Sequence, residues 1–366
     1  MQGKSVTTIA LCTLLLMAST VGGAGAEGFN GRVSLGYGYL THPIGLTTER
    51  AAGYLSQRVW LAQQIPSGES LFQVGYEGMA YQFGNDTHLG SLRHGFGLEW
   101  FRNAKDGSQG LSAGLQWGLR KYDTWYDLYN YQEGYGYFAF KRFIGLRTQL
   151  RGYVAVRKRI YGDLPEESSI EPHGQLELRH YSESKTTLGL RVRYGIKKFN
   201  DVAASQVWET LNLPSTSQVA ARLNFAQGVS DRLGLRGWFD IRWNLDDYPH
   251  YVEADIFDSP ILDRYAHDGW DAWAFMKILT PWQIWLEMGV GGGVHDYGSL
   301  LFAGAEGGLS RKDEILEFTL SGTRRLGAKL GRPDLRVEGG WRRQDSTHYI
   351  YHYRGGYFST SLAWRF

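Results

Sequence analysis

GGYFSTSLAWRF, running from Gly355 to Phe366, is the stretch on which the fold turns. Phe358, Thr360, Leu362, Trp364 and Phe366 fall on alternate positions, with Ser359, Ser361, Ala363 and Arg365 between them. Side chains of a β-strand point alternately to its two faces, so a period of two builds one apolar face and one small or polar face. Such a strand stands between two different environments.

An alternating segment that ends on aromatic rings resembles the closing strand of bacterial outer-membrane β-barrels, whose assembly machinery reads a C-terminus of this kind. The resemblance implies an all-β chain, a closed antiparallel transmembrane β-barrel in the cell outer membrane, with an even number of strands. It also implies that Phe358, Leu362, Trp364 and Phe366 form the membrane face of that strand. The partners it implies are outer-membrane lipid and lipopolysaccharide, and the barrel-assembly machinery acting through the C-terminal strand.

The other end of the chain predicts export. Lys4 supplies a basic start, Val6 to Val21 is mostly apolar, and Ala24-Gly25-Ala26 is a small-x-small cleavage site. Together they predict a cleaved secretory signal peptide over 1–26 and a single barrel domain over 27–366. The apolar run is shorter than the ~20 residues a spanning helix needs. Cys12, the only cysteine, lies inside the signal, and Leu11 precedes it where a lipid-anchor site wants a small residue. The exported part therefore has no thiol for a disulfide, a nucleophile or a zinc ligand.

Mean hydropathy is −0.35, yet aromatics reach 14% and there are 48 glycines. Strands that alternate between lipid and lumen average to such moderate values. A secreted β-sandwich or solenoid shares those numbers. A net charge of +2 argues against a basic nucleic-acid binder.

Alternation recurs along the chain at Arg32–Leu40, Gln57–Gln63, Leu71–Phe83, Leu92–Trp100, Leu111–Arg120 and Tyr129–Phe140. It continues at Thr148–Arg159, Gly174–Tyr181, Leu188–Lys197, Val219–Phe225, Leu233–Trp243 and Trp270–Lys277. Ile284–Val294, Leu300–Leu309, Leu316–Arg325, Leu335–Arg342 and the closing strand complete the set. All nine prolines fall between these segments or at a strand's first residues, where a missing N–H costs no ladder bond. Short turns such as 65–70, 103–108, 182–185 and 228–232 alternate with longer connections at 41–53, 84–90, 122–128, 160–173, 198–216 and 244–265. An outer-membrane barrel has short turns on one side and long loops on the other, and a sandwich has no reason to. Seventeen segments violate the even count, so the expectation is 16–18 strands, leaning to 18 with Tyr251–Phe257 as an extra strand inside the longest loop.

A charge at the lipid-facing midplane costs ~2–4 kcal/mol, so the charged sets of these segments must face a lumen. That assigns Arg93, Arg120, Arg151, Arg157, Arg159, Arg179, Arg191, Arg193, Arg222, Arg236, Arg242, Arg325, Arg336 and Arg342 to the interior. It assigns Glu77, Glu99, Glu177, Asp240, Asp271, Glu287, Glu306, Glu317 and Glu338 to the same side. Lys197 and Lys277 join them. One consequence is a wall of cross-strand ion pairs. The other is a water-filled pore for small polar or anionic solutes, biased toward anions because arginine rings favour them. A plugged or closed barrel that binds a partner through the loops 198–216 and 244–265 is the alternative.

Barrel enzymes carry recognisable constellations, and none is complete here. The His-x-Ser pair His180-Tyr181-Ser182 falls at a short turn, the wrong end for a rim hydrolase. Asp86-Thr87-His88 is half of an aspartyl-type protease site with no Asp-x-Asp to complete it. His348 and His352 lie four apart in an aromatic loop without a third ligand, and Gly289–Gly293 sits in an alternating strand rather than before a helix. Neither catalysis nor a cofactor nor a metal is expected.

Overall fold

Sixteen strands close on one another. In a computed structural model that describes residues 28–41, 51–84, 90–123, 126–200, 215–245, 267–300, 309–327 and 330–366, every neighbouring pair is antiparallel and the first strand pairs with the last. They are β1 Phe29–Leu40, β2 Ala52–Ser67, β3 Ser70–Phe83, β4 Ser91–Asn103, β5 Gln109–Tyr122, β6 Tyr131–Ile144, β7 Thr148–Tyr161 and β8 Ser169–Tyr181. The second half comprises β9 Thr186–Phe199, β10 Thr216–Gly228, β11 Leu233–Asn244, β12 Asp268–Leu279, β13 Ile284–Leu300, β14 Leu309–Arg325, β15 Asp334–Ser346 and β16 Tyr353–Arg365. At the seam, Val33, Leu35 and Tyr37 of β1 stand opposite Trp364, Leu362 and Thr360. The closing strand thus meets the first strand apolar face to apolar face.

The strand count corrects the preference for 18. Leu300 ends β13, Leu309 opens β14, and the two residues pair with each other; the rest of the segment Leu300–Leu309 lies outside the described residues. At 17 residues each, β13 and β14 are the longest strands among the described residues. Tyr251–Phe257, and most of the loops 198–216 and 244–265, lie outside the described residues. So do the predicted signal peptide, Asp86-Thr87-His88 and Glu306.

Proline placement also needs correction. Pro66 is the penultimate residue of β2, and Pro172 lies inside β8. Pro172 is tolerated because its missing N–H falls on one side only. It still stands opposite Val156 of β7, while the ladder to β9 stops after Ile170–Lys198 and resumes at His173–Gly195.

The burial profile is inverted relative to a water-soluble fold. Leu115 is 68% exposed, and Val154 and Leu176 are each 58% exposed, whereas Glu177 and Asp240 are 3% exposed. Apolar side chains facing outward across the strand midsections need a hydrocarbon environment. Rings gather toward both rims of this belt: Phe239 stacks on Trp270 near the long loops, and Phe29 on Phe366 near the short turns. A polar pair lies on the outer face of β3 and β4, where the Tyr76 hydroxyl meets His94 Nδ1 at 2.8 Å. Each satisfies the other, as lipid demands.

Candidate functional site

Pairing fixes which side chains share the interior. In an antiparallel ladder directly opposed residues lie on one face, so a row can be followed from strand to strand. One row runs Arg151, Glu177, Arg191, Arg222, Asp240, Asp271 across β7 to β12. Arg157, Arg159, Arg179, Arg193, Arg236 and Arg242 lie on the same face at neighbouring levels. Elsewhere the face takes in Arg93 and Arg120, opposite each other on β4 and β5, with Glu77 and Glu99. Across β12 to β15 it carries Lys277 opposite Glu287, Glu317 opposite Arg342, Glu338 opposite Ser321, Arg336 opposite Thr323, and Arg325 opposite Asp334.

The interior charge is not evenly spread. On β7 to β11, among the described residues, Arg151, Arg157, Arg159, Arg179, Arg191, Arg193, Lys197, Arg222, Arg236 and Arg242 share the face with only Glu171, Glu177 and Asp240. The remaining strands carry interior acids and bases in near-equal number. Glu177 and Asp240 of the basic wall, and Glu133 beside it, each serve two cations. Glu177 takes Arg179 and, at 3.5 Å, Arg191. Asp240 takes Arg222 at 2.6 Å and Arg242 at 3.5 Å. Glu133 of β6 takes Arg159 at 2.7 Å and Arg157 at 3.7 Å, and Arg157 also reaches Glu171 at 3.7 Å. Sharing leaves net positive charge while keeping every carboxylate compensated, and guanidinium forks suit such bridging geometry. Rings brace the cations: Arg222 lies 4.5 Å from the centre of Trp238, and Arg159 lies 4.4 Å from that of Tyr131.

Beside this wall the interior is carved by glycine. Gly75, Gly95, Gly97 and Gly118 leave a niche between Trp60, Glu77, Arg93, Glu99 and Tyr135. Gly289, Gly291 and Gly293 make a bed on β13 for the side chains of β12. A Cβ on Gly291 would stand 2.2 Å from the Trp273 ring. The glycine run is therefore a surface on which large interior groups lie flat.

The motifs weighed for chemistry fall as follows. His180 meets Thr148 Oγ1 at 3.0 Å, and Ser182 bonds within its own turn to Ser184, both at the short-turn rim. His348 stacks on Tyr349, while His352 faces Asp345 at 3.6 Å. Several interior groups were missed from sequence. Glu133 and Glu171 lie inside, as do His295 and the Arg311–Asp313 pair, whose arginine is clasped 4.0 Å from Tyr297 and 3.6 Å from Tyr351. Period two would have found His295 and Tyr297 had the Gly289–Gly291–Gly293 series been continued past Val294. His267, just before β12, is buried. Desolvation first, then His295, Arg242 and Arg311, push it well below the usual histidine range.

A closed sixteen-strand barrel with a charged interior and an apolar outer belt defines an outer-membrane β-barrel. Solved structures agree on that fold. CdiB from Acinetobacter baumannii superposes with a TM-score of 0.55 at 10% identity over 93% of this chain, which spans 61% of CdiB. The outer membrane protein OpdK from Pseudomonas aeruginosa gives 0.53 at 11% identity, covering 93% of this chain and 100% of OpdK. OccK2 (OpdF) from Pseudomonas aeruginosa, solved in complex with glucuronate, gives 0.52 at 11% identity, covering 92% and 97%. No protein-family model matches the chain, and no curated protein matches it in sequence.

Proposed function

We propose that the chain is exported by the signal peptide 1–26 and forms a pore in the outer membrane for small solutes that carry negative charge. The observation that carries this reading is the basic wall of β7 to β11, where ten interior cations stand with three carboxylates of the same strands, and with Glu133 and Glu287 of the flanking strands they still outnumber the acids two to one. Sixteen strands enclose a lumen wide enough for water, and in such a lumen a wall of one sign concentrates solutes of the other. OpdK was solved with vanillate and OccK2 with glucuronate. Both solutes are small carboxylates, which supports the same solute class here. The test is conductance of the purified chain in planar bilayers under a salt gradient. Discrete openings whose reversal potential favours the anion are expected. A lasting absence of conductance at every voltage would refute a pore and leave a closed binding barrel.

A further inference from the structure

At the long-loop rim of the lumen, three metal-ligating side chains converge beside the basic wall. His267 stands one residue before β12, Asp271 lies on the interior face of β12, and His295 on that of β13. The ligand atoms they offer all lie within 4.8 Å of one another. We propose that His267, Asp271 and His295 bind a divalent transition metal of the zinc type, tying the entry of β12 to β13 and leaving coordination open toward the lumen.

The backbone is shaped for this convergence. Gly269 stands opposite His295 with φ +146°, and a Cβ there would lie 1.9 Å from the Val294 carbonyl oxygen. Only glycine allows the chain to bend so closely over β13, and the bend brings the His267 ring onto His295 with centroids 3.8 Å apart. Gly293 opens the second approach. A side chain there would meet the Asp271 carboxylate at 2.3 Å, so its absence lets Asp271 reach across to His295 Nε2 at 2.9 Å. The other nitrogen of His295 faces the Tyr297 hydroxyl at 3.5 Å, the kind of outer contact that orients a ligating imidazole.

A separate observation points to a ligand. His267 Nε2 is buried without a hydrogen-bond partner among the described residues, a state that is costly unless something else satisfies the atom. Two imidazoles and one carboxylate suit zinc and its neighbours rather than calcium or magnesium, which take oxygen ligands. The guanidinium charge nearby is partly offset: Arg311 is paired with Asp313, Arg242 shares Asp240 with Arg222, and Arg342 stands opposite Glu317. Zinc–nitrogen bonds of ~2.0–2.1 Å in a tetrahedron set ligand atoms about 3.4 Å apart, so closing the site asks for movements of up to about 1.4 Å and for the His267 ring to turn off the face of His295, bringing both in-plane lone pairs onto one ion.

The test uses the full-length untagged chain, folded in detergent, stripped by chelator and titrated with zinc against a chromophoric competitor. Cobalt serves as a second probe by its visible absorption. One equivalent of zinc per chain is expected. Asp271→Asn, His295→Ala and His267→Ala should each weaken binding at least about tenfold, the scale that loss of a supporting contact alone reaches. His267→Ala changes no residue of the strand ladder, and heat-modifiable migration on gels reports the fold of every variant. His352→Ala, on another part of the rim, should bind as the unmodified chain does. No stoichiometric zinc, or binding that survives the three substitutions, would overturn the site. Neither result depends on conductance.

Discussion

Replacing Arg151, Arg193 and Arg236 together by glutamine removes three positive charges from the basic wall without stranding its carboxylates. Glu177 keeps Arg179 and Arg191, Asp240 keeps Arg222 and Arg242, and Glu287, parted from Arg236, still stands opposite Lys277. An ion passing about 7 Å from a wall charge feels ~0.6 kcal/mol in water, and a Debye length of about 8 Å at 0.15 M salt cuts this to ~0.25 kcal/mol. Three charges sum to ~0.75 kcal/mol, or about 3.5-fold in anion occupancy, with the same factor in the opposite sense for a cation. The anion-to-cation permeability ratio should therefore fall about tenfold, read from reversal potentials in a potassium chloride gradient. In ~1 M salt, where the Debye length is about 3 Å, most of the change should disappear. A ratio unchanged in dilute salt would refute the assignment of selectivity to this wall. So would an equal change at both salt concentrations, since that would implicate pore shape instead.

Three further outcomes follow from the packing. Leu115→Arg, at an outward midstrand position 68% exposed, should lower stability in lipid vesicles by ~2–4 kcal/mol; a cost near zero would mean that β5 does not face lipid there. Gly291→Val should displace Trp273 and cost ~1–3 kcal/mol in urea unfolding, whereas Gly75→Ala, whose added carbon meets only an ordinary contact at 3.7 Å, should be near neutral. Equal stability of the two would contradict the glycine bed. Phe366→Ala removes the ring that fills the space over Gly31 and stacks on Phe29, and should cost about 1 kcal/mol at the seam, measured as the folded fraction at fixed urea.

Period-two alternation was enough to give the fold because it is a local property: each strand carries its own record of two faces. Tyr129–Phe140 looked aromatic on both sides, and it is, with Tyr131, Tyr135 and Tyr137 on the interior row set and Phe138 and Phe140 exposed to the belt. What alternation cannot register is where a strand turns back. Leu300–Leu309 keeps the period in sequence although its two ends belong to two strands that pair with each other. Proline misled in the same way at Pro172, since a residue that interrupts one ladder can still keep its place opposite the other neighbour. The convergence of His267, Asp271 and His295 was illegible for a different reason. The three are up to 28 positions apart, and only the register of β12 against β13, with glycine at 269 and 293, makes them neighbours. The concentration of cations on five consecutive strands was present in the sequence all along, but only closure of the barrel turns a segment of the chain into one side of a tube.

That one-sidedness acts on orientation as well as number. A ring of charge around a tube pulls along its axis; an arc of charge pulls across it. In the pore proposed above, a molecule with a carboxylate at one end and hydroxyls or a ring at the other would be turned broadside, its anionic end toward β7 to β11 and its uncharged end away from them. Two solutes of equal charge and size would then be told apart by the distance between their charged and uncharged ends, as by a caliper.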